Sequence, residues 1–334
     1  KEAVEAVWAM MLSFDGYSFC KPHSASYAMV SFQSAWLRVH HPAPFMAAVL
    51  SNGGGFYRPG SYVSEARRMG LEVRGPCVNE SAYAYSGRDR TLCIGLMAIS
   101  GLSRSCATRI VEERSRRGTY SSLEDFTRRV RPDRDDSVAL CQAGALDALA
   151  PGRERSRQVR TVLCSGSPFM GKADSSTRQS DLFAASPAAA YGGESPPPAI
   201  PAAHGAGAPV PVQAQAVRIA EFESLGFLRD ASSLALYARE LATVRRSYAR
   251  DLPELVNRKV VLAAWPVAHK EVWTSGGEVM SFISFEDETA LYETVFFPQV
   301  YQRTRRLLMG QKAVLILGRV VSDEGAICLE VEDL

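Results

Sequence analysis

One stretch near the middle of the chain limits what the rest can build. From Ser165 to about Val217 the sequence is dominated by Ala, Pro, Gly and Ser, with the run Ser195-Pro196-Pro197-Pro198 and small residues up to Pro211. So few bulky apolar side chains cannot bury enough surface to offset the entropy of ordering the segment, so no single core can run through it. It predicts a disordered linker over 165–217, separating a helical block from a block that ends in strands. The 334 residues suffice for two or three domains. No apolar run is long enough to span a bilayer, and a composition of 46% hydrophobic and 22% charged residues is that of a globular chain.

Before the linker, turn signals divide helical patterns. The opening residues Lys1 to Leu12 read as the middle of a helix, without an initiator Met or a signal-peptide pattern, which predicts a piece of a longer gene product. Ser24 to His40 is a mixed amphipathic helix broken by Pro42 and Pro44, Ser51 to Gly55 is a turn, and Ser61 to Met69 is a helix stopped by Gly70. Ser103 can cap a helix whose Ala107, Ile110, Val111 and Arg114 share a face and which ends at Gly118. Ser121 and Glu124 have capping-box spacing for a helix over Leu123 to Val130.

After the linker the pattern changes. Lys259 to Ala264, Val279 to Phe285, Leu291 to Phe297, Ala313 to Val320 and Ala326 to Val331 are β-branched or aromatic runs, with a helix-like piece, Gln299 to Leu308, after the third. Five short strands with a helix in that place fit an OB-type barrel, and equally a generic small barrel.

The seven cysteines are scattered singly and there are only five histidines, which argues against a zinc site or a disulfide framework and fits a reducing cytoplasm. Net charge is only +2. Locally, nine arginines (Arg104, Arg109, Arg114, Arg116, Arg117, Arg128, Arg129, Arg131 and Arg134) face five acidic residues between positions 104 and 134. That basic segment is either a solvated helix face or a phosphate-binding surface.

Several long strings carry a resemblance. They are FDGYSFCKPHSASYA beginning at Phe14, SFQSAWLRVHHPAPFMAAVLSNGGGFY (Ser31 to Tyr57), SEARRMGLEV (Ser64 to Val73) and IGLMAISGL (Ile94 to Leu102). SLEDFTRRV (Ser122 to Val130), QAGALDAL (Gln142 to Leu149) and SFEDETALYETVFFPQVYQR, ending at Arg303, complete the set. In these strings the chain resembles the bacterial C-family DNA polymerases, the DNA polymerase III alpha subunits. The forms YSFCKPHSASYA and ETVFFPQVY are closer to second-copy, error-prone members.

The resemblance implies a multidomain α + β layout. It comprises the C-terminal part of the polymerase fingers (1–75), a helix-hairpin-helix DNA-binding domain (76–164), the linker (165–217), a helical connector (218–255) and a five-stranded OB-fold domain (256–334). The family's catalytic aspartates, which bind Mg²⁺, lie in a palm upstream of this region, so the chain by itself is expected to bind no cofactor and to polymerise nothing. Lys21 and His23 are the candidates for the incoming nucleotide's phosphates, although His23 also reads as a plain helix cap.

Gly101, Leu102 and Ser103 correspond to the hairpin that holds duplex DNA, flanked by Arg104, Arg109, Arg116 and Arg117; a plain helical hairpin is the alternative. The family commonly has Lys, Gly and Arg where this chain has Ser100, Ser103 and Cys93, which implies weaker DNA contact. Lys270 and Trp273, placed in the loop between the first two strands, are candidates for single-stranded DNA, while Phe282, Phe285 and Tyr292 are either partners or core. That loop ends in Thr274-Ser275-Gly276-Gly277, less basic than is usual in the family. Within the linker, Gln179, Leu182 and Phe183 resemble the internal motif that binds the bacterial sliding clamp, or are a chance string. The expected function is the DNA-binding and clamp-docking part of a polymerase in replication or translesion repair synthesis, without membrane association. The rival readings are a non-enzymatic single-strand-binding or repair-scaffold module, and a remnant of a degraded gene.

Overall fold

The computed structural model describes residues 4–5, 7–8, 21–53, 55–165, 212–308, 310 and 312–334. The first long helix, α1 (Lys21–His40), starts three residues ahead of the expected Ser24 and so includes Lys21 and His23. Pro42 and Pro44, expected only as breakers, instead open α2 (Pro42–Asn52). Proline is tolerated in a first turn because its missing N–H has no intrahelical partner there. Pro59 opens α3 (Pro59–Arg68) in the same way.

A small sheet follows that no periodicity announced, because its strands have only three residues each. β1 (Glu72–Arg74) lies parallel to β3 (Thr91–Cys93), and β2 (Ser86–Arg88) runs antiparallel along the other side of β3. Helices α4 (Arg104–Arg117), α5 (Leu123–Val130), α6 (Arg134–Gln142) and α7 (Arg155–Ser165) complete the N-terminal part. One continuous core joins them, from Ala43 and Met46 through Leu92, Ile94, Ile110, Phe126 and Leu140 to Val162. Ser122, not Ser121, caps α5: its Oγ accepts from Asp125 N at 3.1 Å, and the Asp125 carboxylate accepts from Ser121 N at 3.3 Å. The box is shifted by one residue, which turns Leu123, Phe126 and Val130 into the core.

Across 166–211 the chain comes back to the same body. α7 runs through Ser165, and α8 (Val212–Leu225) is helical over 212–217, where composition predicted no structure. Leu225 and Phe227 belong to the helical core. Buried Glu221 pairs with Arg229 at 2.7 Å and with Arg155 at 3.3 Å, and Asp147 pairs with the same two arginines at 3.3 and 2.9 Å. Arg67 donates to the carbonyls of Leu228, Arg229 and Ala231. A short helix, α9 (Ala238–Leu241), leads toward the strands.

The last part is a closed barrel of β4 (Lys259–Trp273), β5 (Val279–Glu286), β6 (Leu291–Phe296), β7 (Val314–Asp323) and β8 (Ala326–Asp333). Around the barrel the order is β4-β5-β6-β8-β7, antiparallel except for β6 with β8. The helix expected between the third and fourth strands is α10 (Pro298–Thr304), shorter than Gln299 to Leu308, with Tyr301 buried. All five strands lie where the β-rich runs put them, but β4 extends nine residues past Ala264, to Trp273. A bulge between Pro266 and Ala268 lets the strand pass its proline. Gly318 in β7 is a requirement of packing, since a Cβ there would lie 2.6 Å from Glu330 O.

Candidate nucleic-acid interface

The hairpin follows from three local choices. Gly101 holds φ +81°, which other residues avoid, and so lets the chain turn sharply. Ser103 caps α4 by accepting from Cys106 N at 3.2 Å, and Gly118 ends the helix at φ 76°. Leu102 packs against the helical core, leaving Gly101 and Arg104 exposed at the turn. The Arg104 guanidinium lies 5.3 Å from the centre of the Tyr83 ring. Burial and the Asp136 carboxylate push the Cys106 thiol just inside this turn up to about 12, so it stays protonated at neutral pH.

The basic segment divides into two populations. Arg109 gives its Nε to Val130 O at 2.6 Å, and Arg114 donates to Val78 O at 2.7 Å. Arg129, 7% exposed, donates to the carbonyls of Glu113 and Gly118 at 2.8 Å and lies 4.3 Å over the Tyr120 ring. These three hold the fold together. Arg104, Arg116, Arg117, Arg128, Arg131 and Arg134 are exposed. Arg116 and Arg117 have only loose partners one turn back, Glu112 and Glu113, each at 3.7 Å.

On the barrel, Lys270 and Trp273 stand on β4 itself, not in the loop where the sequence put them, which runs from Thr274 to Glu278. Lys270 pairs with Phe282 on β5, and Phe282 with Val295 on β6, so these three share the outer face. Phe282 is 42% exposed and Trp273 72% exposed, whereas Phe285 and Tyr292 are buried in the barrel. Phe282 was legible in the strand's alternation: once Ile283 and Phe285 face inward, Phe282 faces out.

His23 is exposed on α1, its ring edge-on to Tyr27 at 4.8 Å. The same helix exposes Tyr27, Phe32, Trp36 and Val39. A cleft of about 900 Å³ lies between α1, α2, α3 and the start of β6, with Phe45, Met46, Tyr62 and Leu291 among its walls. Gln179, Leu182 and Phe183 lie outside the described residues.

Among the described residues no cluster of His, Cys, Asp and Glu is placed to hold a metal ion. The acidic run Glu286-Asp287-Glu288 does not fit one either, because its carboxylates are committed to protein donors. Glu286 takes Ser64 Oγ at 3.3 Å and Arg68 at 3.5 Å, Asp287 takes Ala249 N at 2.6 Å, and Glu288 takes Arg246 at 2.7 Å.

Comparison with known proteins agrees with this geometry. A family model for a helix-hairpin-helix motif matches residues 70–156. The error-prone DNA polymerase of Anaeromyxobacter sp. (strain K) is 34% identical over 330 residues, 95% of this chain and 27% of that protein. The error-prone DNA polymerase of Mycobacterium tuberculosis (strain ATCC 25618 / H37Rv) is 30% identical over 334 residues, 99% of this chain and 28% of that protein. The DNA polymerase III subunit alpha of Saccharopolyspora erythraea is 30% identical over 346 residues, again 99% of this chain and 28% of the relative. The chain thus spans about a quarter of the length of the curated relatives it matches. With a helix-hairpin-helix, a closed five-stranded barrel and a match running through both, the chain is homologous to a stretch of about a quarter of the error-prone DNA polymerases and DNA polymerase III alpha subunits.

Proposed function

We propose that this chain is the DNA-holding part of a DNA-directed DNA polymerase acting in the cytoplasm in replication or repair synthesis. The observation that carries the reading is the pairing, in one chain, of a hairpin exposing Arg104, Arg116 and Arg117 with a barrel that exposes Lys270 and Phe282 on its outer face and Trp273 at the far end of β4. The first set suits the phosphates of a duplex, because side-chain cations displace its condensed counterions. The second suits unpaired bases, which stack on aromatic rings beside a cation. On α1, Lys21 and His23 are the groups we assign to the phosphates of the incoming nucleotide. The Mg²⁺ that the family implies would belong to residues outside this stretch.

Anisotropy of a labelled duplex, titrated across a range of salt, tests the reading. Replacing Arg104, Arg116 and Arg117 together by Ala makes log K against log salt shallower by roughly two to three, at about 0.9 per lost phosphate contact. Arg109→Ala leaves that slope unchanged, because its guanidinium is already bound to Val130 O. An unchanged slope in the triple variant would reduce the exposed arginines to a solvated surface. Given primed template, Mg²⁺ and the four deoxynucleoside triphosphates, the same preparation extends no primer; extension would mean that the chain holds its own catalytic carboxylates.

The clamp belongs to the same proposal. Leu182 and Phe183 are adjacent bulky apolar side chains in a segment otherwise rich in Ala, Pro, Gly and Ser. Burying both in a partner's pocket contributes on the order of 3–5 kcal/mol before ordering costs, with Gln179 fixing the register. Calorimetry with purified sliding clamp should show heat for the native chain and none for Leu182→Ala with Phe183→Ala. Equal heats would make the string an accident.

A further inference from the structure

The hairpin's donors are not all open to a ligand. Leu102 N donates to Ile99 O at 3.3 Å, and Cys106 N is taken by the Ser103 hydroxyl oxygen. Ser103 gives its own N–H to Asp136 Oδ1 at 2.7 Å and its hydroxyl to Asp136 Oδ2 at 3.0 Å. Asp136 is 3% exposed and sits in the first turn of α6, where the Asp133 side chain accepts from its N–H at 2.8 Å. One turn on, Ala139 lies behind the turn itself, 3.8 Å from where a Cβ on Gly101 would be. α6 therefore backs the hairpin and delivers a carboxylate to it. An oxyanion held by a backbone N–H and a hydroxyl at the start of a helix is the arrangement a DNA phosphate seeks at such a place.

We infer that Asp136 sets the hairpin's affinity for DNA: its carboxylate stands in for a backbone phosphate at Ser103 and keeps the grip on a duplex below what the fold allows. The inference rests on the reading of the hairpin as a DNA contact. Ser103 contributes nothing to an external phosphate while Asp136 holds it. The contact falls to the N–H groups of Arg104 and Ser105, in the first turn of α4, and to the Arg104 side chain. The phosphate they bind is also repelled by the negative charge behind them. Asp136 is thus a positioning residue, acting on DNA through Ser103.

Duplex titrations at low salt with the native chain and Asp136→Asn decide it. The amide keeps the shape and an oxygen for Ser103 N–H but removes the charge. Binding should tighten by roughly three- to tenfold, the range for relieving one like-charge contact in a partly screened site, and the gain should shrink as salt is raised. A residue that only braces the fold would lower the affinity or leave it unchanged. Asp136→Ser, shorter and neutral but still able to accept a hydrogen bond, repeats the test if the amide does not fold. Native-like or weaker binding by a folded neutral variant overturns the inference. If native and variants alike fail to bind, the reading of the hairpin as a DNA contact falls, and this inference with it.

Discussion

Glu286 is a carboxylate in a poor place for a charge: 2% exposed, at the end of β5, where the barrel meets α3. Burial raises its pKa above the ordinary 4.5, and the Arg68 guanidinium and Ser64 hydroxyl only partly oppose that shift. With the folded value above the unfolded one, the native state binds the extra proton between the two. This group's contribution is therefore fully present below about pH 4.5 and is lost as pH rises through its folded value. The melting temperature of the native chain should consequently fall relative to Glu286→Gln as pH is raised from about 4 toward neutrality. The expected sign is the reverse of the usual paired carboxylate. Parallel melting curves for the two proteins across that range would show that Arg68 fully compensates the burial.

Elements with a strong periodic signal were legible in the sequence, and those fixed by a distant partner were not. Five β-rich runs gave all five barrel strands, because alternation along a closed sheet is local information. The Ser103 cap and the Gly118 stop were local in the same sense. The three-residue strands β1 to β3 carry too little pattern to be seen, and the far half of β4 was hidden behind Pro266 and the polar run His269-Lys270-Glu271. In the candidate site, Gly101 and Leu102 were picked out by the family resemblance, and the Ser103 cap could be read from local sequence. Asp136, 33 residues further on, could not, because its role exists only once α6 packs behind the turn. The arginines teach the same lesson. Sequence cannot tell Arg129, which binds the carbonyls of Glu113 and Gly118, from its exposed neighbour Arg128, because only packing separates them.

At the scale of the whole molecule the barrel is joined to the helices by polar as well as apolar contacts. Arg38 on α1 pairs with Glu65, Glu65 with Arg68, and Arg68 with Glu286, an alternating series of charges running from the first helix to the barrel. Nearby, Phe222 of α8 sets its ring edge-on to Trp265 of β4 at 5.4 Å. The return of the chain after 166–211 has a consequence for covalent continuity. The helices on either side of that stretch, α7 and α8, belong to the same body and share the charges of Arg155, Glu221, Arg229 and Asp147 as well as the core around Val162 and Leu225. The peptide connection between them is therefore not what keeps the halves together. Residues 1–165 and 212–334, produced as two separate polypeptides, should find each other and co-elute as one particle. Dissociation on a sizing column at micromolar concentration would show that the shared core is too small to hold without its bridge.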